Sequence, residues 1–175
     1  MILIGLDPAF RENGFAAAIF DPSDRDEPLR FIVFQDVVSF IGWAQNDAPE
    51  RAFVYVENSN LDAAVYHLTP RMNARQAAAI GVAVGKNQAV SQLAVDLLRR
   101  KYGKDWVAEI APNKKGGKVY ARAVAMVDVL ELTKAKPTDR VAKALKSEDC
   151  RSALMMLMRA KAQWRLKEMI YGVSL

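Results

Sequence analysis

Met1-Ile2-Leu3-Ile4-Gly5-Leu6-Asp7-Pro8, followed after a polar break by Gly14-Phe15-Ala16-Ala17-Ala18-Ile19-Phe20-Asp21, decides how this chain folds. Ile2, Leu3, Ile4 and Leu6 suit a short buried strand. Asp7 closes it, and Pro8 cannot donate to a sheet ladder, so pairing stops there. Arg11-Glu12-Asn13-Gly14 is rich in turn formers, and the chain re-enters as a second strand through Phe15 to Phe20. A carboxylate at the end of a core strand beside a hairpin stabilises little, but it is well placed to hold a metal ion. The plain alternative is a solvated turn aspartate, and the rest of the chain has to choose between them.

Working outward, Asp21 to Pro28 is a polar turn and Leu29 to Phe34 a third strand, which makes an antiparallel meander. Asp36 to Gln45 places Val37, Phe40, Ile41 and Ala44 at helical spacing, and Asn46 to Pro49 stops it. Ala52 to Val56 is a fourth strand, reached by a helical crossover and so parallel to its neighbour, and Glu57 ends it. Asn58 to Asn73 is a polar linker. The pattern then predicts a long helix over Ala74 to Tyr102, closed by Gly103, with Arg99, Arg100 and Lys101 at its negative end. Gly81 and Gly85 inside it imply close approach of another backbone, either the sheet or a partner helix. Trp106 to Ile110 is a fifth strand, and Pro112 to Lys118 a basic loop. Val119 to Leu132 reads as a helix with Val124, Val127 and Leu130 in the core. Thr133 to Lys146 is a basic connector broken at Pro137. Ser147 is placed to cap a last helix running to about Met169, with Glu148 and Asp149 in its first turn. The expected fold is α/β, a single domain over residues 1–175. Its mixed five-stranded sheet has three antiparallel strands and then two parallel ones, flanked by helices.

The totals agree with one soluble domain: 175 residues, of which 51% are apolar, suffice for one sizeable core. There is no apolar run of membrane-spanning length and no signal-peptide pattern, so no membrane association and a cytoplasmic location are expected. One cysteine, Cys150, and one histidine, His67, exclude zinc sites built on those ligands and any internal disulfide. A metal here would be held by oxygen, which points to Mg2+ or Mn2+. Lys and Arg number 25 against 20 Asp and Glu, a net charge of +5. The excess is concentrated in Arg71 to Lys118 and Lys134 to Lys167, while residues 1–62 are acidic on balance. A basic surface beside a few carboxylates suits a polyanionic substrate.

Asp7 ends the first strand, Glu57 ends the fourth, and Asp149 opens the last helix. If the first and fourth strands are parallel neighbours, their ends set Asp7 and Glu57 side by side, and a helix packed on that face delivers Asp149. Three clustered carboxylates repel unless cations lie between them. Two magnesium ions about 4 Å apart can activate a water and stabilise the leaving oxygen of a phosphodiester.

These same segments resemble the RuvC-like Holliday junction resolvases of the RNase H-like superfamily. Ile2 to Pro8 with Gly14-Phe15-Ala16 looks like the family's first-strand signature, Gly-x-Asp-Pro with a downstream Gly. Val54-Tyr55-Val56-Glu57 resembles its second acidic strand end. Gly81 to Gly85 in the alanine-rich helix resembles the long helix that follows. Glu109-Ile110-Ala111-Pro112-Asn113-Lys114 with Lys118 resembles its lysine-bearing segment, and Glu148 to Leu154 its final acidic helix.

The resemblance implies an RNase H-like fold and a crossover junction endodeoxyribonuclease of DNA recombination and repair. It would be a homodimer acting on four-way or branched DNA with two Mg2+ (or Mn2+) per site. Asp7, Glu57 and Asp149 would ligate metal, with Glu148 or Ser152 assisting, and Lys114 and Lys118 would lie near the scissile phosphate. Asn58, Asn60, Tyr66, Arg71, Lys86 and Lys115, together with Lys114 and Lys118, are the DNA-facing candidates. Leu61 is an alternative to Tyr66 as a wedge against an unstacked base, and Gln88 and Gln92 could touch DNA. Ala78, Val82, Gly85 and Ala89 form the candidate dimer face, which would otherwise pack on the chain's own sheet. One departure stands out: Ser152 occupies the place of a second metal-facing acid. Two other readings remain open, another RNase H-like nuclease acting on hybrids or flaps, and a non-catalytic junction-binding protein. A sugar-kinase-like ATPase would need glycine-rich phosphate loops that the chain lacks.

Overall fold

The computed structural model describes residues 1–10, 12–61, 73–112 and 121–171. Three strands, β1 (Ile2–Asp7), β2 (Phe15–Phe20) and β3 (Leu29–Phe34), form the expected antiparallel meander. Helix α1 (Val37–Asn46) leads to β4 (Ala52–Glu57), which pairs parallel to β1. Helix α2 (Ala74–Tyr102) leads to β5 (Val107–Ile110), parallel to β4. Helices α3 (Arg122–Thr133), α4 (Asp139–Ala144) and α5 (Glu148–Tyr171) complete the chain. The strand order is β3-β2-β1-β4-β5, so β1 is central, with antiparallel β2 on one side and parallel β4 on the other. This is the mixed α/β sheet expected of an RNase H-like fold.

Side chains alternate between the two sheet faces, and each face builds its own core. Ile4, Leu6, Ala17, Ile19, Val54 and Val56 pack under α1 and α2. Leu3, Ala16, Ala18 and Phe53 pack under α3, α4 and α5. Helix α1 is held by a capping box, in which the Asp36 carboxylate accepts from the Ser39 N–H at 2.8 Å. Its Phe40 stacks on Phe15 at 4.3 Å between ring centroids, with Phe34 edge-on to both.

Several expectations need correction. In α3 the buried residues are Ala125, Val129 and Leu132, whereas Val124, Val127 and Leu130 are exposed. The helix is apolar on more than one face, so spacing alone does not say which face turns inward. The connector after α3 is not bare: Lys134 in the left-handed region closes α3, and Thr138 caps the short α4 immediately after Pro137. Trp106 belongs to a short turn before β5 rather than to the strand. A Cβ added at Gly81 or Gly85 would meet nothing within 4 Å, so neither serves a close approach among the described residues. Ala78, Val82, Gly85 and Ala89 are all exposed and do not pack on the sheet.

The glycine that does permit a close approach is Gly5. A Cβ there would stand 2.1 Å from the Leu157 amide nitrogen and 2.2 Å from the Ala153 carbonyl oxygen. Helix α5 therefore lies directly on the backbone of β1.

Candidate active site

The paired register of β1 and β4 runs from Ile2 opposite Ala52 to Leu6 opposite Val56. One further step sets Asp7 opposite Glu57. Leu3, Gly5 and Asp7 share one face of β1, and Phe53, Tyr55 and Glu57 the matching face of β4. That face carries α5, because Leu3 and Phe53 belong to its core and Gly5 touches its backbone. Both carboxylates thus stand at adjoining strand ends, on the side covered by α5, and both are half-buried.

Helix α5 is oriented by contacts at both ends of its path. Trp164 packs on Phe53 near the start of β4, with ring centroids 5.7 Å apart. Ala153 and Leu157 sit on Gly5 in mid-strand. The first turn, with Glu148 and Asp149, is consequently at the carboxyl ends of the strands. The Asp7 and Asp149 carboxylates both act on the thiol of Cys150. Burial pushes that thiol up to about 11; the Ser147 hydroxyl opposes the shift, Asp149 and Asp7 add to it, and Arg151 opposes it. Asp7 and the start of α5 are therefore neighbours. The Ser147 hydroxyl donates to Asp149 Oδ2 at 3.4 Å, so Ser147 orients this carboxylate at the helix start. Ser152, one turn further along, is half-buried.

The donors gathered at this end of the sheet are carboxylate and hydroxyl oxygens, the chemistry that suits a hard divalent cation. Among the described residues no group of three or more His, Cys, Asp or Glu side chains stands together as a ready metal site. The backbone brings Asp7, Glu57 and the first turn of α5 to one region, but the three carboxylates do not close into a cluster.

The remaining candidates divide. Asn58 is 2% exposed and both ends of its amide are committed inside the protein. Its Nδ2 donates to Glu109 Oε2 at 2.6 Å, and its Oδ1 accepts from the Asn60 backbone and side chain at 3.0 Å each. Asn58 is a strut and not a surface contact. Asn60 is exposed, and its Nδ2 also donates to the Gln88 carbonyl at 2.7 Å. Leu61 is exposed. Lys86 is exposed on α2, with its ammonium 4.8 Å from the centroid of the Phe10 ring. Gln88 reaches the Ser59 carbonyl at 3.5 Å, and Gln92 donates to Asp96 at 3.0 Å. Tyr66, His67, Arg71, Lys114, Lys115 and Lys118 lie outside the described residues.

One network was not anticipated. Glu109 faces α2, where the Arg99 guanidinium pairs with Oε1 while Asn58 occupies Oε2. The Asn58 N–H donates to the Ile110 carbonyl at 2.7 Å. Together these bonds tie the segment leaving Glu57 to β5 and α2, which fixes the end of β4. The signal was an acid inside an otherwise apolar four-residue strand, a position that demands a partner.

No protein-family model matches this chain, and no curated protein sequence matches it. Among solved structures it is similar to T. thermophilus RuvC in complex with Holliday junction substrate, with a TM-score of 0.46 and 12% identity. The match covers 94% of this chain and 96% of that one. A likeness of that degree adds nothing to the site, which rests on the residues described above.

Proposed function

We propose that the chain is a magnesium-dependent, structure-selective endodeoxyribonuclease that hydrolyses one phosphodiester on each of two strands at a four-way DNA junction. The observation that carries this reading is the shared face of Asp7 and Glu57 at the adjoining ends of β1 and β4, over which α5 brings Asp149. In this reading Asp7, Glu57 and Asp149 hold divalent ions, with Glu148 and Ser152 as auxiliary oxygen donors. Bound magnesium would supply Lewis-acid stabilisation of the phosphate and lower the pKa of water.

The chain's own residues do the rest. The carboxylates hold position because Gly5 lets α5 lie on β1 and because the Asn58–Glu109–Arg99 network fixes the end of β4. Lys114, Lys115 and Lys118 bring compact positive charge to phosphates. Hydrolysis by water leaves a 5′-phosphate and a 3′-hydroxyl and needs no covalent intermediate. Cutting two symmetry-related strands calls for two copies of the chain, and an isologous pair is the commonest solution. The exposed face of Ala78, Val82, Gly85 and Ala89 is the surface proposed for it.

Asp7→Asn tests the reading. It should abolish cleavage of a synthetic junction while leaving junction binding intact. Cleavage at the wild-type rate by that variant would refute the metal-site assignment.

A second reading rests on Ser152, which offers a hydroxyl where a second helix acid would strengthen ion binding. It makes the chain a junction-binding protein without nuclease activity. Calorimetric titration separates the two: heat of magnesium binding at millimolar concentration favours the enzyme, and its absence favours the binding protein.

A further inference from the structure

Three residues beyond Asp7, the chain carries Phe10, an aromatic side chain that is 50% exposed. Nothing in the core requires it. It is nevertheless held in place. The Phe10 N–H donates to Asn87 Oδ1 at 2.9 Å, which fastens this loop to α2. The ring and α2 enclose an open groove of about 540 Å³, lined by Ala9, Phe10, Ala79, Val82, Ala83, Lys86 and Asn87, with Val82 shared with the face proposed for pairing. The helix wall is built of short side chains, and among the described residues no acidic side chain lines the groove. The Lys86 ammonium lies over the Phe10 ring, 4.8 Å from its centroid.

We propose that this groove is a nucleotide subsite for a DNA strand entering the candidate active site. A base packs against the exposed part of the Phe10 ring, and Lys86 takes the adjoining phosphate. This rests on the nuclease reading given above and adds to it a named stacking residue. Three features choose a nucleotide as the occupant. A π face and a mobile cation lie side by side, which matches a base and its phosphate and not a purely apolar segment. The described lining carries a cation and no acid. The groove also begins three residues beyond Asp7 in the chain, in the loop that leaves the end of β1. The hydrogen bond to Asn87 holds the Phe10 backbone in advance, so little ordering is left to binding.

The test is binding of a fluorescent four-way junction in calcium, followed by anisotropy, for wild type, Phe10→Ala, Phe10→Trp, Lys86→Ala and Lys86→Arg. Sedimentation of each protein is measured in parallel. Phe10→Ala should weaken binding roughly 5- to 150-fold, as expected for one lost base stack, and Phe10→Trp should retain it. Lys86→Ala should flatten the log–log salt dependence by about one unit, and Lys86→Arg should preserve it. Should Phe10→Ala fail to fold, the Lys86 pair decides. Wild-type affinity and salt dependence in Phe10→Ala and Lys86→Ala would overturn the inference and leave the nuclease reading standing. Weaker binding accompanied by loss of an oligomer would also overturn it, because the groove would then be a contact between copies of this chain. Failure of the wild-type protein to bind branched DNA would remove the nuclease reading and this inference together.

Discussion

Replacing Gly5 by alanine puts one methyl group where the backbone of α5 already lies. The new Cβ would stand 2.1 Å from the Leu157 nitrogen and 2.2 Å from the Ala153 oxygen. Neither neighbour is a side chain that can rotate away. Restoring ordinary contact at 3.4 Å requires α5 to lift by about 1.3 Å. Overpacking typically costs about 1–3 kcal/mol, and backbone on both sides puts Gly5→Ala at the upper end, about 3 kcal/mol. For a domain of this size that lowers Tm by about 6–12 °C. The lift also carries Asp149 away from Asp7, so magnesium affinity should fall more than the loss of folded protein accounts for. The assay pairs thermal denaturation, with and without magnesium, with calorimetric titration at a temperature where the variant remains folded. A melting temperature within 2 °C of wild type, with unchanged magnesium binding, would refute the claim that contact at Gly5 positions the helix.

Further outcomes follow from the same packing. Asn58→Ala should destabilise by about 1–3 kcal/mol in urea, because Glu109 loses a partner in a part-buried site, while the folded fraction keeps its junction affinity. Tyr102 is pushed up to about 12 by burial, and its hydroxyl donates to the Pro49 carbonyl at 2.8 Å. Its raised folded-state value makes it a source of stability that is complete below pH about 10 and lost as pH rises toward 12. Tyr102→Phe should cost about 1 kcal/mol at pH 7 and flatten the fall in stability over that alkaline range in a series of urea melts. Cys150, 1% exposed, should resist a thiol-specific disulfide reagent at pH 8 in the native state and react fully in denaturant; fast native labelling would contradict the packing of α5.

The sheet was legible because its signals are local and redundant. Ile2 to Leu6 and Ala52 to Val56 are continuous apolar runs each ended by an acid, and Pro8 and Pro49 mark their surroundings. Gly103 as a stop follows from chemistry within one helical turn. Asp7, Glu57 and Asp149 stood out because each carboxylate lies where an apolar element begins or ends. What the chain did not disclose depends on contacts between distant segments. Gly5 sat unnoticed inside a strand while Gly81 and Gly85 looked more significant, since only the crossing point of α5 shows which glycine has a backbone against it. The inward face of α3 was misassigned because Val124, Val127 and Leu130 are as apolar as Ala125, Val129 and Leu132. Asn58 reads from sequence as a polar linker residue, and its bond to Glu109, more than fifty residues away, exists only in the folded chain. Phe10 is a single aromatic in a turn, and only the folded chain sets Lys86 and Asn87 beside it.

The central claim is that the acids at the ends of β1, β4 and α5 form a magnesium-dependent nuclease site. Incubation of the protein with four-way junctions, each strand carrying its own fluorophore, tests it most directly. In magnesium the account predicts paired, symmetric nicks bearing 5′-phosphates, abolished by chelator and by Asp7→Asn. Intact junctions in magnesium, or equal cleavage in chelator, would contradict it.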